Sequence, residues 1–419
     1  MKNKKIAVIG GGISGLVSAH FLSESNSVTL FEANDYIGGH TNTEMVDIKG
    51  VKYPVNTGFI VYNDWTYPNF IRLMERLDVR TEASDMSFSV HCENTGLEYA
   101  GTNLSTLFAQ RKNLFSRKFW RLIRDIVKFN RDAKNALDNN KLLDSTLGEF
   151  LERNNYSRYF KDKYLIPMGA AIWSAPEDVM LDFPLRFFLR FFNNHGLLNI
   201  ENRPQWRVLT GGSAQYIEPI CKPFKDNIKL NSPVTRVERT DSECIVHIHG
   251  RPPERFDYVV FACHSDQALD MIEFPTDDER AILGAIPYQN NEVVLHTDQR
   301  MMPKNKRSWA SWNYHLPARK TERATVTYHM NRLQNLEAPV EFLVTLNRTS
   351  DIDESKIIRK FNYAHPVFSS DSDWAQDRLG VINGQNRSFF CGAYWRNGFH
   401  EDGVVSALNT LKLMGVDTW

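Results

Sequence analysis

Cysteine is scarce in this 419-residue chain: Cys92, Cys221, Cys244, Cys263 and Cys391 are all it has. They form no Cys-x-x-Cys pair and no Cys/His group with zinc spacing, which excludes a zinc-stapled fold and suits a reducing compartment. His247 and His249 alternate along an apparent strand, but two histidines without further ligands read as solvent-facing, so no metal is expected. Long apolar runs are missing too; none approaches the roughly 18 residues of a membrane-spanning helix. Net charge is absent, because 50 Lys+Arg balance 50 Asp+Glu. Bulk electrostatics therefore offers no hold on nucleic acid, and no such partner is expected. What remains is a globular composition, 42% hydrophobic and 24% charged, in a chain long enough for two or three domains. The 26 Phe and 9 Trp point to apolar pockets or surfaces.

Lys2, Lys4 and Lys5 followed by Ile6 to Leu22 imitate a secretory signal. Gly10, Gly11, Gly12, Gly15 and His20 spoil its apolar core, and the protein is expected on the cytoplasmic side. The same glycines make a nucleotide loop. Ile6-Ala7-Val8-Ile9 is a β-branched run typical of a buried parallel strand, and it leads into Gly10-x-Gly12-x-x-Gly15 and a helical pattern. A second strand, Val28 to Phe31, ends on Glu32, 22 residues after Gly10. Gly10 permits the tight turn, Gly12 lets the backbone approach a pyrophosphate, and Gly15 allows close helix–strand packing. The helix start then faces a diphosphate, and Glu32 accepts from a ribose hydroxyl.

FAD and NAD share this arrangement, and the following residues choose between them. Ala33-Asn34-Asp35-Tyr36-Ile37-Gly38-Gly39-His40-Thr41 brings a second glycine pair six residues after the acid. It resembles the flavin amine oxidase, protoporphyrinogen oxidase and phytoene desaturase superfamily, where a Gly-Gly-Arg segment folds back over the FAD diphosphate. His40 stands where that family has Arg, which removes a permanent charge. Further along, Asn56-Thr57-Gly58 resembles the segment beneath the isoalloxazine, Thr210-Gly211-Gly212-Ser213 a second Gly-Gly element, and Val234 the adenine-binding valine. Gly392, then Gly398 to Val404, resembles the closing flavin motif.

The resemblance implies non-covalent FAD against Gly10, Gly12, Ile13, Ser14, Gly15, Glu32, Ala33, Gly39, His40, Thr41, Asn56, Thr57, Gly58, Val234, Gly392, Asp402, Gly403 and Val404. It places Phe399 and His400 beside the flavin as catalytic candidates, His400 either orienting substrate or making a structural hydrogen bond, with Tyr394 and Trp395 as cavity wall. Leu295-His296-Thr297-Asp298, Trp309 to Tyr314, Asn331 to Gln334 and His365-Pro366-Val367-Phe368 resemble a bacterial, amine-oxidase-like branch. One member type of that branch desaturates methyl-branched fatty acyl chains of phospholipids on the route to furan fatty acids. The implied activity is an FAD-dependent desaturase or dehydrogenase of an apolar lipid; a flavin amine oxidase or a non-catalytic flavin-binding scaffold are the alternatives.

The fold class is α/β: a Rossmann-like, glutathione-reductase-like FAD-binding domain interleaved with a substrate domain of mixed sheet plus helices. The expected FAD domain is discontinuous, 1–75, 205–268 and 380–419; residues 76–204 and 269–379 form the substrate domain, with 104–200 mainly helical. Residues 233–262 read as a three-stranded meander whose last strand is Phe256 to Ala262. A second sheet is expected from Met86–His91, Glu292–Thr297, Ala324–Met330 and Val340–Leu346.

Between Arg111 and Lys134, nine basic residues meet only Asp125 and Asp132, interleaved with Phe115, Phe119 and Trp120. This segment reads either as a packed helix with a solvated basic face or as an interfacial helix on anionic membrane, which would make the protein peripheral on the inner membrane face. Phe183 to Phe192 holds five Phe in ten residues, either core packing or the lining of an apolar tunnel.

Overall fold

Ile6, Ala7 and Val8 are wholly withdrawn from water because their strand lies in the middle of a sheet covered on both faces. The computed structural model describes residues 1–139, 145–173, 179–319 and 323–419. Residues 140–144 and 174–178 of the expected helical stretch thus lie outside the described residues. The sheet has five parallel strands in the order Ile228–Lys229, Ser27–Phe31, Lys5–Ile9, Tyr258–Phe261, Ser388–Phe390. Strands from the beginning, middle and end of the chain thus meet in one layer.

Four helices position the site: α1 (Ile13–Leu22), α2 (Arg117–Asp138), α3 (Leu185–Asn194) and α4 (His400–Leu413). α1 and α4 pack together beside the parallel sheet. α2 starts at Ser116, whose Oγ accepts from the Phe119 N–H at 3.3 Å, a side-chain cap on an otherwise orphaned donor. It buries Phe119, Leu122, Asp125, Phe129, Ala133 and Ala136, a stripe at three- and four-residue spacing. α3 packs on α2 and adds Phe188, Phe191 and Phe192 to the same core.

The meander forms from Val234–Arg239, Cys244–Ile248 and Glu254–Phe256. Its expected third strand is in fact divided. Phe256 ends the meander, and Tyr258–Phe261 joins the parallel sheet beside Lys5–Ile9. Asp257 makes the break: its carboxylate accepts from the Lys5 N–H at 2.8 Å, and its own N–H donates to the Lys5 carbonyl. Val259, Val260 and Phe261 are buried on both faces, which a meander strand with one wet face cannot offer. His247 lies against Glu238, and His249 is exposed beyond the strand end.

The second sheet has seven strands: Ile357–Pro366, Tyr288–His296, Leu343–Leu346, Val326–His329, Trp312–Leu316, Phe88–Cys92, Leu97–Ala100. The four expected strands are all in it. Ile357–Pro366 was illegible because it is a polar edge strand closed by a proline. A small sheet of Tyr62–Asn63, Trp206–Leu209 and Thr81–Ala83 ties the two halves together.

Candidate active site

The loop after the first strand is closed by tight backbone contacts and by the Glu32 carboxylate. Gly10 holds φ at +107°, and a Cβ on Gly15 would stand 1.9 Å from the Gly10 carbonyl oxygen, so no larger residue fits there. Gly12 is different: a Cβ there would meet nothing within 4 Å. Open space therefore lies at the N-terminus of α1, where Gly12 provides no side-chain cap and the N–H groups of Ile13, Ser14 and Gly15 have no partner within the helix. Such an end attracts a phosphate. Glu32 is buried beside it; one carboxylate oxygen accepts from the Gly11 N–H at 2.8 Å and the other from the Asn34 N–H at 2.9 Å. The Ser232 N–H reaches the Glu32 carbonyl and the Asn231 N–H the Asn34 carbonyl, so the segment leading to Val234 runs beside exposed Ala33.

The second glycine pair folds back over this loop. The Gly38 N–H donates to the Gly11 carbonyl at 2.9 Å, and Gly39 comes to rest against Gly12. His40 and Thr41 follow, and the chain is pinned beneath by the Phe59 N–H on the His40 carbonyl and the Thr57 N–H on the Asn42 carbonyl, across Gly58. Asn56 is wholly buried; its Oδ1 accepts from the Ser213 N–H and the Thr43 hydroxyl, and its N–H donates to Gln334 Oε1 at 2.8 Å. The first and last motifs touch directly. Ser14 Oγ donates to the Gly403 carbonyl at 3.1 Å, beside buried Val404, and the Gly392 N–H donates to Ser406 Oγ.

His400 opens α4, and its Nε2 lies 2.8 Å from Thr41 Oγ1, which in turn lies 2.6 Å from the Tyr216 hydroxyl. Its ring stacks on Phe59 at 3.6 Å. Removal from water pulls the imidazole down to about 3, so it is a neutral hydrogen-bonding group at physiological pH. Asp402 accepts from the Phe399 N–H at 3.0 Å, and burial pushes its carboxyl up to about 6. Phe399 faces the other way, toward the helical half, and stacks on Phe191 of α3 at 5.0 Å. Tyr394 and Trp395 are buried against each other and Tyr288.

Sequence reasoning missed the seam between the halves. His40 stacks on His365 at 5.3 Å and Tyr363 at 5.0 Å, and His264 lies 6.4 Å away, itself stacked on Tyr288 at 4.3 Å. Burial holds His40 and His264 down to about 4 and His365 to about 3. The Tyr363 hydroxyl meets Thr57 and Asn42. His365-Pro366 had stood out in the sequence, but only as a resemblance, and nothing local put it beside His40. His40 Nε2 is covered and has no hydrogen-bond partner among the described residues. That orphaned atom, the open space at Gly12 and the buried acid at Glu32 fit the diphosphate and ribose of a flavin dinucleotide.

The family model for flavin containing amine oxidoreductases matches residues 13–410. Flavin-containing amine oxidase A of Bos taurus is 24% identical over 270 residues, covering 61% of this chain and 49% of that protein. Flavin-containing amine oxidase B of Homo sapiens is 25% identical over 268 residues, covering 62% and 51%. The chain thus aligns with about half the length of these relatives. Among solved structures, a CLA-producing fatty acid isomerase from P. acnes superposes with a TM-score of 0.71 at 17% identity, covering 99% of this chain and all of that one. Cyclohexylamine oxidase from Brevibacterium oxydans IH-35A gives 0.67 at 16% identity, with 99% and 100% covered. At such identity the superpositions establish the fold.

Proposed function

The chain belongs to the flavin-containing amine oxidoreductase family, with FAD as cofactor, and from that premise we propose that it desaturates or dehydrogenates a fatty acyl lipid, methyl-branched in its chain. One observation carries the lipid reading. A cluster of aromatic rings packs beside the flavin-side position Phe399: Phe191 at 5.0 Å, Trp173 4.7 Å from Phe191, Phe187 5.7 Å from Trp173, and Phe368, 5.1 Å from Phe187 and back against Gly398. Apart from the Trp173 indole N–H the cluster is hydrocarbon and carries no charge, and such a surface favours an acyl chain over a charged amine. The isomerase from P. acnes that shares this fold is named for a fatty acid.

When bound, FAD supplies the two-electron chemistry, accepting a hydride from substrate carbon. The chain's own residues hold and orient. Glu32 would accept from the ribose, the α1 N-terminus and His40 Nε2 would meet the diphosphate, and the α1–α4 contact locks the two motifs against each other. Asp402 fixes the turn that presents Phe399, and Phe399 with Phe191 sets the acyl chain's approach. A neutral His40 in place of a guanidinium contributes a hydrogen bond without a fixed charge. Non-covalent binding of the cofactor is part of this reading: burial pushes the Cys391 thiol up to about 12 and the Cys263 thiol up as well, which disfavours either as a thiolate nucleophile.

An amine oxidase is the second reading, favoured by the names of the sequence relatives. Anaerobic flavin reduction decides. The holoenzyme should lose its oxidised flavin absorbance with acyl phospholipids carrying a methyl branch, forming one C=C per flavin reduced, and keep it with alkyl and aryl amines. Reduction by amines alone overturns the lipid reading. Reduction by dithionite but by no substrate in either class points to a flavin-binding scaffold.

A further inference from the structure

The surface of α2 and the turn before it carries a combination that the cofactor chemistry does not use. Phe115 is 90% exposed, Leu104 75% and Trp120 48%, with Leu114 beside them. The Trp120 indole N–H donates to the Leu114 carbonyl at 2.8 Å, and Arg111 reaches back to Ser105. These exposed apolar side chains thus lie on neighbouring segments where Arg111–Phe115 enters the helix, and together are called the knob.

Around the knob lies unpaired positive charge. Arg117, Arg121 and Arg124 repeat at four- and three-residue spacing on the side away from the buried stripe. Both acids of the segment are occupied inside: Asp125 accepts from the Ser157 N–H and hydroxyl, and Asp132 from the Tyr156 hydroxyl and Arg131. Lys112, Arg117, Lys118, Arg121 and Arg124 have no ion-pair partner among the described residues. Next to them is a cleft of about 300 Å³ edged by Lys118, Arg121, Arg158 and Lys163, whose one acid, Asp162, pairs with Arg158. Because the chain as a whole is neutral, the rest of it carries the matching negative excess. An anionic surface therefore orients the molecule with this face toward it.

A soluble polyanion would need the cations but has no use for Leu104, Leu114 and Phe115 standing in water. An anionic bilayer uses both, phosphates for the cations and the headgroup–acyl boundary for the knob. Among the described residues no helix is long and apolar enough to cross a membrane, so the contact lies on the surface. We propose that α2 and the preceding turn dock this protein peripherally on anionic lipid, Phe115, Leu114, Leu104 and Trp120 entering the boundary while Lys112, Arg117, Lys118, Arg121 and Arg124 meet phosphates. Docking is independent of which substrate the flavin oxidises.

The test is co-sedimentation of FAD-loaded protein with phosphatidylcholine vesicles, with and without about one third phosphatidylglycerol, at low and high salt. The protein should bind the anionic vesicles only, at least about tenfold more weakly at high salt. Combined R117Q, K118Q, R121Q and R124Q substitutions should weaken binding about a hundredfold or more. Phe115→Ser should weaken it by about tenfold and leave the salt dependence in place. Both variants should keep the wild-type flavin content and melting temperature, since these side chains touch neither core nor cofactor. Absence of wild-type binding overturns the proposal, as does equal binding by the quadruple variant. Loss with the quadruple variant but none with Phe115→Ser assigns the face to a soluble polyanion and overturns it too. Oxidation of detergent-dispersed lipid is measured separately, so failure to dock and failure of the lipid reading are told apart.

Discussion

The glycine loop and the helical half are both densely packed, but they are packed with different material. Around the loop, backbone meets backbone: a Cβ at Gly15 would stand 1.9 Å from the Gly10 oxygen, and one at Gly58 2.2 Å from the His40 oxygen. In the helical half, rings meet rings, as where Phe129 contacts Phe150, Tyr156 and Phe160, and Phe188 stacks on Phe192 at 4.2 Å. Backbone contacts admit one residue type each and leave a signature in the sequence. Ring contacts admit several apolar residues that repack, so they leave only a composition.

The seam between the halves should give the largest effect. Below pH 6.5, the ordinary histidine value, the unfolded chain takes up protons that His40, His264, His365 and His400 refuse until pH 3–4. Stability contributed by these groups is present in full above pH 6.5 and is lost as pH falls toward 3–4. The four are half-buried around the cofactor recess, so about 1 kcal/mol per group per pH unit is expected. Asp402, raised to about 6, works in the opposite sense and offsets about one of them. Chemical unfolding of the cofactor-free protein at pH 7 and pH 5 should therefore differ by several kcal/mol; equal stabilities would mean that water already reaches the rings.

A pair of glycine substitutions sharpens the contrast further. Gly15→Ala should cost about 3 kcal/mol or more, because the clash is with backbone that cannot turn away. Gly12→Ala should leave the melting temperature of cofactor-free protein within about a degree or two yet abolish FAD retention, its methyl filling the space kept for a phosphate. Comparable melting temperatures for the two variants would erase the distinction between a structural and a binding glycine.

The smallest effect belongs to the helical half. Phe188→Leu, wholly buried, should cost about 1.5 kcal/mol as neighbouring rings shift into the space. Flavin content should not change. A loss as large as that of Gly15→Ala would show the helical half to be as rigid as the loop.

Local sequence determined the first two parallel strands, the glycine loop and Glu32, because each is a short-range steric or hydrogen-bonding requirement written in adjacent residues; the closing motif was legible only as a resemblance. Even its error was local: Val259 to Phe261 read correctly as a strand, and only Asp257, tied to Lys5, sent it to the other sheet. The basic stripe of α2 was equally legible, being a matter of spacing along one helix. Tertiary structure alone decided that His365 and Tyr363, on a polar edge strand, stand over His40. It also decided that Phe59 and Tyr216 enclose His400, and that Asp125 is taken up by Ser157, leaving Arg117, Arg121 and Arg124 without an ion-pair partner among the described residues. Each of these partners is separated from the other by tens to hundreds of residues, and no propensity or period operates over that distance. Only the closing of the two sheets on each other brings such groups within reach.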